Sequence, residues 1–160
     1  ARERRVPFLA IGFGMQLSVV EAARDLLGIA DAASTEVEPA TPHPVVHIPA
    51  DRVCENDSRG ATRMGGMAVR LAPGMLRDVY GTEVIRERHS NRYEIDPAYA
   101  APLAEKGFRL VGVSEEGGYP EAFEVEGHPF YAAVVYHPEY LSRPGKPHPL
   151  FSALLASVRA

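Results

Sequence analysis

Two residues near the end of the chain have the types and spacing needed for acid–base chemistry. His137 and Glu139 stand two positions apart, directly after the apolar run of residues 130–136. On extended backbone, side chains at this spacing point the same way, so Glu139 could orient the imidazole of His137 as a general base. The alternative interpretation is a strand-end histidine that is hydrogen-bonded within a turn.

A place for the matching nucleophile is found near the start of the chain. Residues 6–11 form a short apolar run, typical of a strand buried on both faces, and residues 15–27 form an amphipathic segment. Gly12-Phe13-Gly14 joins them. A buried strand that passes through a tight turn into a helix is the geometry of a nucleophile elbow, close to helix N–H groups that can stabilise an oxyanion. The tip residue is Gly12, which has no side chain and cannot attack a substrate.

Arg92 is the candidate for binding an anionic group of a ligand. It belongs to Arg92-Tyr93-Glu94, and the fork of a guanidinium suits a small carboxylate. The alternative is a solvated end of a strand. Gln16 and Glu36 carry no signal of their own in the local pattern.

Composition limits the class of protein. The chain has 160 residues, of which 46% are hydrophobic, and a net charge of −4. These values favour one globular domain over residues 1–160 and disfavour a nucleic-acid partner. No segment resembles a signal peptide or a transmembrane helix, so we expect a cytoplasmic protein without a membrane partner. A homo-oligomer is left open.

Metal and cysteine chemistry are disfavoured. The six histidines show no metal-ligand spacing, and a single cysteine excludes a disulfide framework or a cysteine-rich zinc site. That cysteine, Cys54, lies in the polar loop of residues 51–63, and nothing in the sequence places it near His137. We therefore expect neither a metal site nor a cofactor.

Strands and helices must position these residues. The expected strands are residues 6–11, 45–48, 67–71, 82–94, 108–113, 121–125 and 130–136. The expected helices are residues 15–27, 75–80, 97–106 and 150–158. This order predicts an α/β fold with a mainly parallel central sheet, helices on both faces, and residues 6–11 near the centre. Because a central strand needs neighbours on both sides, we expect the chain to be the C-terminal two-thirds of such a domain, with N-terminal strands missing.

Several motifs together resemble one family. Residues 7–16 are similar to the elbow of class I glutamine amidotransferases, which runs Gly-Ile-Cys-Leu-Gly-Met-Gln and lies in a flavodoxin-like fold. The resemblance narrows to glutaminase domains of the CTP synthase type and covers almost the whole chain in collinear order. The shared motifs are Ser34-Thr35-Glu36, Thr-Pro-His-Pro at 41–44, Met-Gly-Gly at 64–66, Arg92-Tyr93-Glu94, His137-Pro138-Glu139, and Arg-Pro…Pro-His-Pro-Leu-Phe at 143–151.

The resemblance implies a mechanism and roles for residues. In this family a cysteine thiolate attacks the side-chain amide of glutamine, a thioester forms, and ammonia passes to a synthase domain that aminates UTP. By position, Gly12 would stand where the cysteine belongs, His137 would be the base and Glu139 its orienting partner. The backbone N–H of Phe13 would contribute to the oxyanion hole. A glutamine-like amino-acid ligand would be held by Gln16, Glu36, Arg92 and Tyr93.

The departures from the family matter as much. Gly12 replaces the cysteine, Phe13 replaces the usual leucine, and Val135-Tyr136 replaces the usual Gln-Phe. Changes at several neighbouring positions favour natural divergence over an engineered change of one codon. Loss of a catalytic nucleophile typically costs several orders of magnitude in rate.

Three interpretations follow. The first is a CTP-synthase-type homologue that has lost glutaminase activity and persists as an amino-acid-binding, regulatory or repurposed domain. A synthase domain or partner chain would stand beside it. The second is a working hydrolase or transferase in which His137, Glu139 and a water act without a covalent intermediate. The third is a functional glutamine-hydrolysing amidotransferase of pyrimidine nucleotide biosynthesis whose nucleophile has been altered.

Overall fold

The computed structural model describes residues 1–53 and 61–159, and Cys54 lies outside the described residues. The strands are β1 Phe8–Ile11, β2 Ala32–Ser34, β3 His43–His47, β4 Arg63–Leu71, β5 Val84–Asn91, β6 Glu94–Ile95, β7 Phe108–Ser114, β8 Pro120–Val125 and β9 Tyr131–Val134. The α-helices are α1 Phe13–Leu26, α2 Met75–Tyr80, α3 Ala100–Ala104 and α4 Pro149–Arg159.

A six-stranded sheet forms the centre of the described structure. Its strand order is β1-β9-β8-β7-β4-β5, and a smaller sheet has the order β2-β3-β6. Strands β1 and β9 run parallel, with Ile11 paired to Val134. The other neighbouring pairs of the six-stranded sheet are antiparallel.

The α/β class is confirmed, but the strand directions differ from the mainly parallel sheet that was expected. Residues 115–119 connect β7 to β8, and residues 126–130 connect β8 to β9. Connections this short allow hairpins and exclude the crossovers that parallel neighbours need. The prediction that β1 lies near the centre of the sheet is wrong. Among the described strands, β1 pairs with β9 alone.

Helices cover both faces of the sheet, as predicted. Met15 of α1 and Leu103 of α3 are buried in one apolar cluster, and Leu76 of α2 and Leu150 of α4 in the other. Residues 131–134 of β9 alternate between the two clusters, because successive side chains of a strand point to opposite faces. A strand buried on both faces is rigid support for the residues that follow it.

The predicted helix over residues 97–106 begins as a 3-10 turn, Pro97–Tyr99, and continues as the short α3. The Asp96 side chain accepts a hydrogen bond from the Ala98 N–H at 2.9 Å, which caps the turn. Within the described residues, no helix combines the length and the apolar character that crossing a membrane requires.

Candidate active site

The turn at Gly12 has the geometry of an elbow. The Gly12 N–H donates to the carbonyl oxygen of Val134 at 2.8 Å, and α1 begins at the next residue. Gly12 has φ 57° and ψ −119°, a region of backbone space that favours glycine. Because the first N–H groups of a helix have no acceptor within the helix, the positive end of α1 lies beside Gly12.

His137 lies against Gly12. A β-carbon added to Gly12 would be 3.1 Å from His137 Cε1 and 3.4 Å from Nε2. The parallel pairing of β1 with β9 explains this approach, since both strands end at the same edge of the sheet. The backbone N–H of His137 also donates to the carbonyl oxygen of Arg88 on β5 at 2.8 Å. Two strands therefore fix the position of the histidine.

Glu139 orients the imidazole. His137 Nδ1 lies 2.6 Å from Glu139 Oε1. An ionised carboxylate can only accept, so Nδ1 carries the hydrogen and Nε2, on the side of Gly12, is left as an acceptor. The contact is made across the 3-10 turn Pro138–Tyr140 and not along extended backbone, which corrects the predicted route. The ring also stacks on Tyr140, with ring centroids 5.0 Å apart.

A cleft of about 380 Å³ opens beside this histidine. It is lined by Gly12, Phe13, Gln16, Glu36, Thr62, Ser90, Asn91, Arg92, Tyr93 and His137. Every predicted site residue lines it except Glu139, which contacts His137 from outside the lining. Sequence reasoning missed Thr62, Ser90 and Asn91. The even spacing of Ile85 and Asn91, which places both on one face of a strand, was the sequence signal for Asn91.

Three polar atoms of the cleft residues are buried and have no hydrogen-bond partner among residues 1–53 and 61–159. They are Gln16 Oε1, Asn91 Oδ1 and Arg92 Nε. Two are acceptors and one is a donor. Buried polar groups are normally paired, because an unpaired one costs roughly 1–3 kcal/mol. The cleft is also lined by the charged residues Arg92 and Glu36, which suit a ligand that carries an anionic and a cationic group.

A buried ionic cluster contacts the cleft residue Asn91. Glu94 on β6 is fully buried and accepts from Arg52, Arg63 and Asn91, with 2.9 Å to Asn91 Nδ2. Burial raises the pKa of the Glu94 carboxyl above its ordinary value, and the charge of Arg63 opposes that shift. Arg63 lies on β4, so its pair with Glu94 ties β6 to the six-stranded sheet, and its second pair with Glu121 reaches β8.

Within residues 1–53 and 61–159, no group of three or more histidine, cysteine, aspartate or glutamate side chains could hold a metal ion.

Comparisons with known proteins place the chain in a family. The sequence model described as glutamine amidotransferase class-I matches residues 1–157. CTP synthase of Synechococcus sp. (strain RCC307) is 47% identical over 159 residues, which is 99% of this chain and 29% of that protein. CTP synthase of Prochlorococcus marinus (strain MIT 9211) is 46% identical over 161 residues, again 29% of its length. The chain thus spans less than a third of these relatives.

Solved structures agree with the sequence match. The Trypanosoma brucei CTPS glutaminase domain with bound acivicin superposes with a TM-score of 0.92 at 28% identity, over 98% of this chain and 61% of that one. A putative GMP synthase protein from Thermoplasma acidophilum superposes with a TM-score of 0.56 at 15% identity, over 94% of this chain and 56% of that one, a likeness of fold alone. The chain belongs to the class I glutamine amidotransferase family and closely matches the glutaminase domain of CTP synthase.

Proposed function

We propose that the chain is a glutamine-binding amidotransferase domain that does not hydrolyse glutamine by the covalent route. The observation that carries the proposal is the pair Gly12 and His137. The elbow places residue 12 next to the imidazole: a β-carbon added to Gly12 would lie 3.4 Å from His137 Nε2. A glycine at this position has no thiolate to offer. Without a thiolate the thioester cannot form.

The charged side chains of the cleft support retained ligand binding. A free amino acid presents an ammonium group and a carboxylate, and the Arg92 guanidinium that lines the cleft complements the carboxylate. Glu36, exposed on the same cleft, adds a negative charge suited to the ammonium. Phe13 is the first residue of α1, so its N–H could face the carbonyl oxygen of a bound carboxamide.

Restoration of the nucleophile is the sharpest test. The variant Gly12→Cys is made in a Cys54→Ser background, so that any labelled thiol is the introduced one. We expect acivicin, the compound bound to the Trypanosoma brucei domain, to modify Gly12→Cys covalently, as intact-protein mass spectrometry would show. Adding His137→Ala should suppress the modification, because the thiol loses its base.

Two controls complete this test. Gly14→Cys places a thiol two residues further on, where a β-carbon would meet Ala10 and not His137, so it should stay unmodified. Wild-type protein should bind L-glutamine by isothermal titration calorimetry and release no ammonia. Acivicin modification of wild-type Cys54 with ammonia release would overturn the proposal. An inert Gly12→Cys would mean that the pocket has been rebuilt, with Phe13 the first residue to examine.

Direct hydrolysis by an activated water is the second candidate. The hydrogen bond from His137 Nδ1 to Glu139 favours it, since it leaves Nε2 as an acceptor toward the cleft. Ammonia release from glutamine by the Cys54→Ser protein, abolished by His137→Ala, would support this candidate over the first. Glutaminase turnover by Gly12→Cys would in turn favour an amidotransferase with an altered nucleophile.

The chain covers about 29% of each CTP synthase relative, so its place in a larger protein is part of the proposal. We expect it to act beside a synthase domain, in the same polypeptide or in a partner chain. Such an assembly should form CTP from UTP with ammonia and not with glutamine, because the amidotransferase domain supplies none. CTP formation from glutamine would contradict the proposal.

A further inference from the structure

The beginning of β4 and the end of β5 extend beyond the rest of the sheet. Strand β7 pairs with β4 only at residues 69–71. Residues 63–67 of β4 and their partners, residues 87–91 of β5, therefore continue as a two-stranded arm. The end of this arm carries residues that line the cleft, and its Arg88 carbonyl oxygen accepts from the His137 N–H at 2.8 Å. The placement of the arm thus affects both the cleft and the histidine.

Two basic side chains of the arm contact one carboxylate of β8. Arg63 on β4 pairs with Glu121 Oε1, and His89 Nε2 on β5 lies 2.7 Å from Glu121 Oε2. The side chains of His89 and Glu121 are fully buried. The Glu121 carbonyl oxygen accepts from the Val135 N–H at 3.0 Å, two residues before His137. We call Arg63, His89 and Glu121 the clasp, because they join the arm to the strands that lead to the site.

The neighbours of His89 require a hydrogen on both ring nitrogens. Nδ1 lies 3.1 Å from the carbonyl oxygen of Glu87, which can only accept. Nε2 faces a carboxylate oxygen of Glu121, and the pairing of this carboxylate with Arg63 favours its ionised form, which also only accepts. A neutral imidazole carries hydrogen on one nitrogen and can satisfy one of these two acceptors. The contacts therefore indicate an imidazolium.

The surroundings of His89 contain the countercharge that a buried imidazolium needs. Glu121 on β8 supplies it at hydrogen-bond distance, whereas Arg63 on β4 opposes it from the other oxygen of the same carboxylate. Glu87 lies two residues earlier on the same buried face of β5 and adds a second carboxylate. The ring of Tyr136 meets the imidazole at a centroid distance of 6.0 Å, and burial raises the pKa of this tyrosine, so its phenol stays neutral. Charges that are paired and hydrogen-bonded in this way are the ones that proteins bury.

We infer that His89 is a buried imidazolium and that the clasp is a proton-dependent device, which holds the arm against β8 and the strand end at His137. With the proton present, Glu121 receives a hydrogen bond from each strand of the arm. Without it, one acceptor of His89 loses its donor, so the attachment of β5 weakens while that of β4 persists. The wall of the cleft that the arm forms is therefore held most firmly while His89 is charged. The inference does not depend on the ligand that the cleft binds.

Nitrogen NMR of the histidine rings tests the charge directly. The two ring nitrogens of an imidazolium have nearly equal chemical shifts, whereas those of a neutral ring are widely separated. The His89 ring is assigned through its backbone in isotope-labelled wild-type protein. We expect the imidazolium pattern at about pH 7.5, where an unperturbed histidine is mostly neutral. A neutral His89 ring at this pH would overturn the inference.

Amide hydrogen exchange tests the attachment of the arm. The reporter is the His137 N–H, whose acceptor belongs to Arg88 of the arm, and the Val19 N–H within α1 is the internal reference. In His89→Gln, which keeps a neutral donor, the protection factor of the reporter should fall about tenfold, as loss of a hydrogen bond from a charged group would cause. His43→Gln, at an exposed histidine, is the matched control and should change neither amide. Far-UV circular dichroism verifies the fold of both variants.

The wild-type pH profile completes the test and needs no variant. The protection factor of the His137 N–H should fall over the same pH range in which the His89 ring loses its imidazolium pattern, and the Val19 N–H should show no such fall. A reporter whose protection ignores that transition, or an unchanged protection factor in folded His89→Gln, would overturn the clasp. Either result would leave the proposed function standing, since neither measurement involves a ligand.

Discussion

The imidazole of His137 lies so close to Gly12 that a β-carbon on the glycine would sit 3.1 Å from His137 Cε1. That distance is tighter than ordinary van der Waals contact. Gly12 also has φ 57°, which side chains rarely tolerate. Position 12 is thus constrained twice, by its backbone and by the ring that faces it.

These two constraints can be separated by mutation. We expect Gly12→Ala to lower the free energy of unfolding by about 1–3 kcal/mol, from backbone strain together with crowding of the ring. Gly28→Ala is the matched control: Gly28 has φ 73° and no described atom within 4 Å of its would-be β-carbon, so it should lose stability from backbone strain alone. Guanidinium denaturation measures both.

The ring contact has its own signature. Adding His137→Ala to Gly12→Ala should recover part of the lost stability, because the methyl group then meets no ring. The same addition to Gly28→Ala should recover nothing. Identical behaviour of the two pairs would mean that the contact between Gly12 and His137 has no energetic weight.

Glu139 should set the reactivity of a restored thiol. In the Gly12→Cys, Cys54→Ser protein, Glu139→Gln should slow acivicin modification about tenfold, because a neutral amide holds the Nδ1 hydrogen of His137 less strongly than a carboxylate. Glu126→Gln is the control, since Glu126 is exposed in the connection that precedes β9, whereas Glu139 follows that strand, and it should leave the rate unchanged. An unchanged rate in Glu139→Gln would remove Glu139 from the site.

The side chain that caps α2 leaves no room for a β-carbon at position 74. Glu124 Oε2 accepts from the Leu76 N–H at 3.0 Å, and a β-carbon on Gly74 would overlap Glu124. Gly74→Ala should therefore destabilise the fold by roughly 1–3 kcal/mol in thermal or chemical unfolding. Gly14→Ala, inside α1 with ordinary contact to Ala10, should be neutral or stabilising because alanine favours helix. A larger loss of stability in Gly14→Ala than in Gly74→Ala would contradict this packing.

Glu124 should also make stability depend on pH. Burial raises the pKa of its carboxyl above the ordinary 4.5, against the opposing hydrogen bond from Leu76. Between 4.5 and that raised pKa the folded state binds more protons than the unfolded state, so the free energy of unfolding falls as pH rises. Glu124→Gln cannot titrate and should lack this contribution. On going from about pH 7.5 to about pH 5, the wild type should gain stability relative to Glu124→Gln. A loss of relative stability over this range would refute the raised pKa of Glu124.

The sequence predicted the elements that build the site better than their arrangement in the sheet. The apolar run of residues 6–11, the glycine turn and the amphipathic segment correspond to β1, Gly12 and α1, because these signals are local. Strand direction is not local. The antiparallel course of β7, β8 and β9 follows from short connections, which a prediction of α/β class does not resolve.

By itself, the sequence determined the family motifs, the glycine at the elbow and the residue types of the cleft. Only the tertiary structure decided which of these residues meet. Parallel pairing of β1 with β9 brings Gly12 to His137 although they lie far apart in the chain, and a 3-10 turn carries Glu139 to Nδ1. The orientation of the Asn91 amide depends on the carbonyl of Tyr93 and on the buried Glu94, since two fixed acceptors decide which way it points. Orientation of a side chain is a property of its neighbours in space, and no local pattern records it.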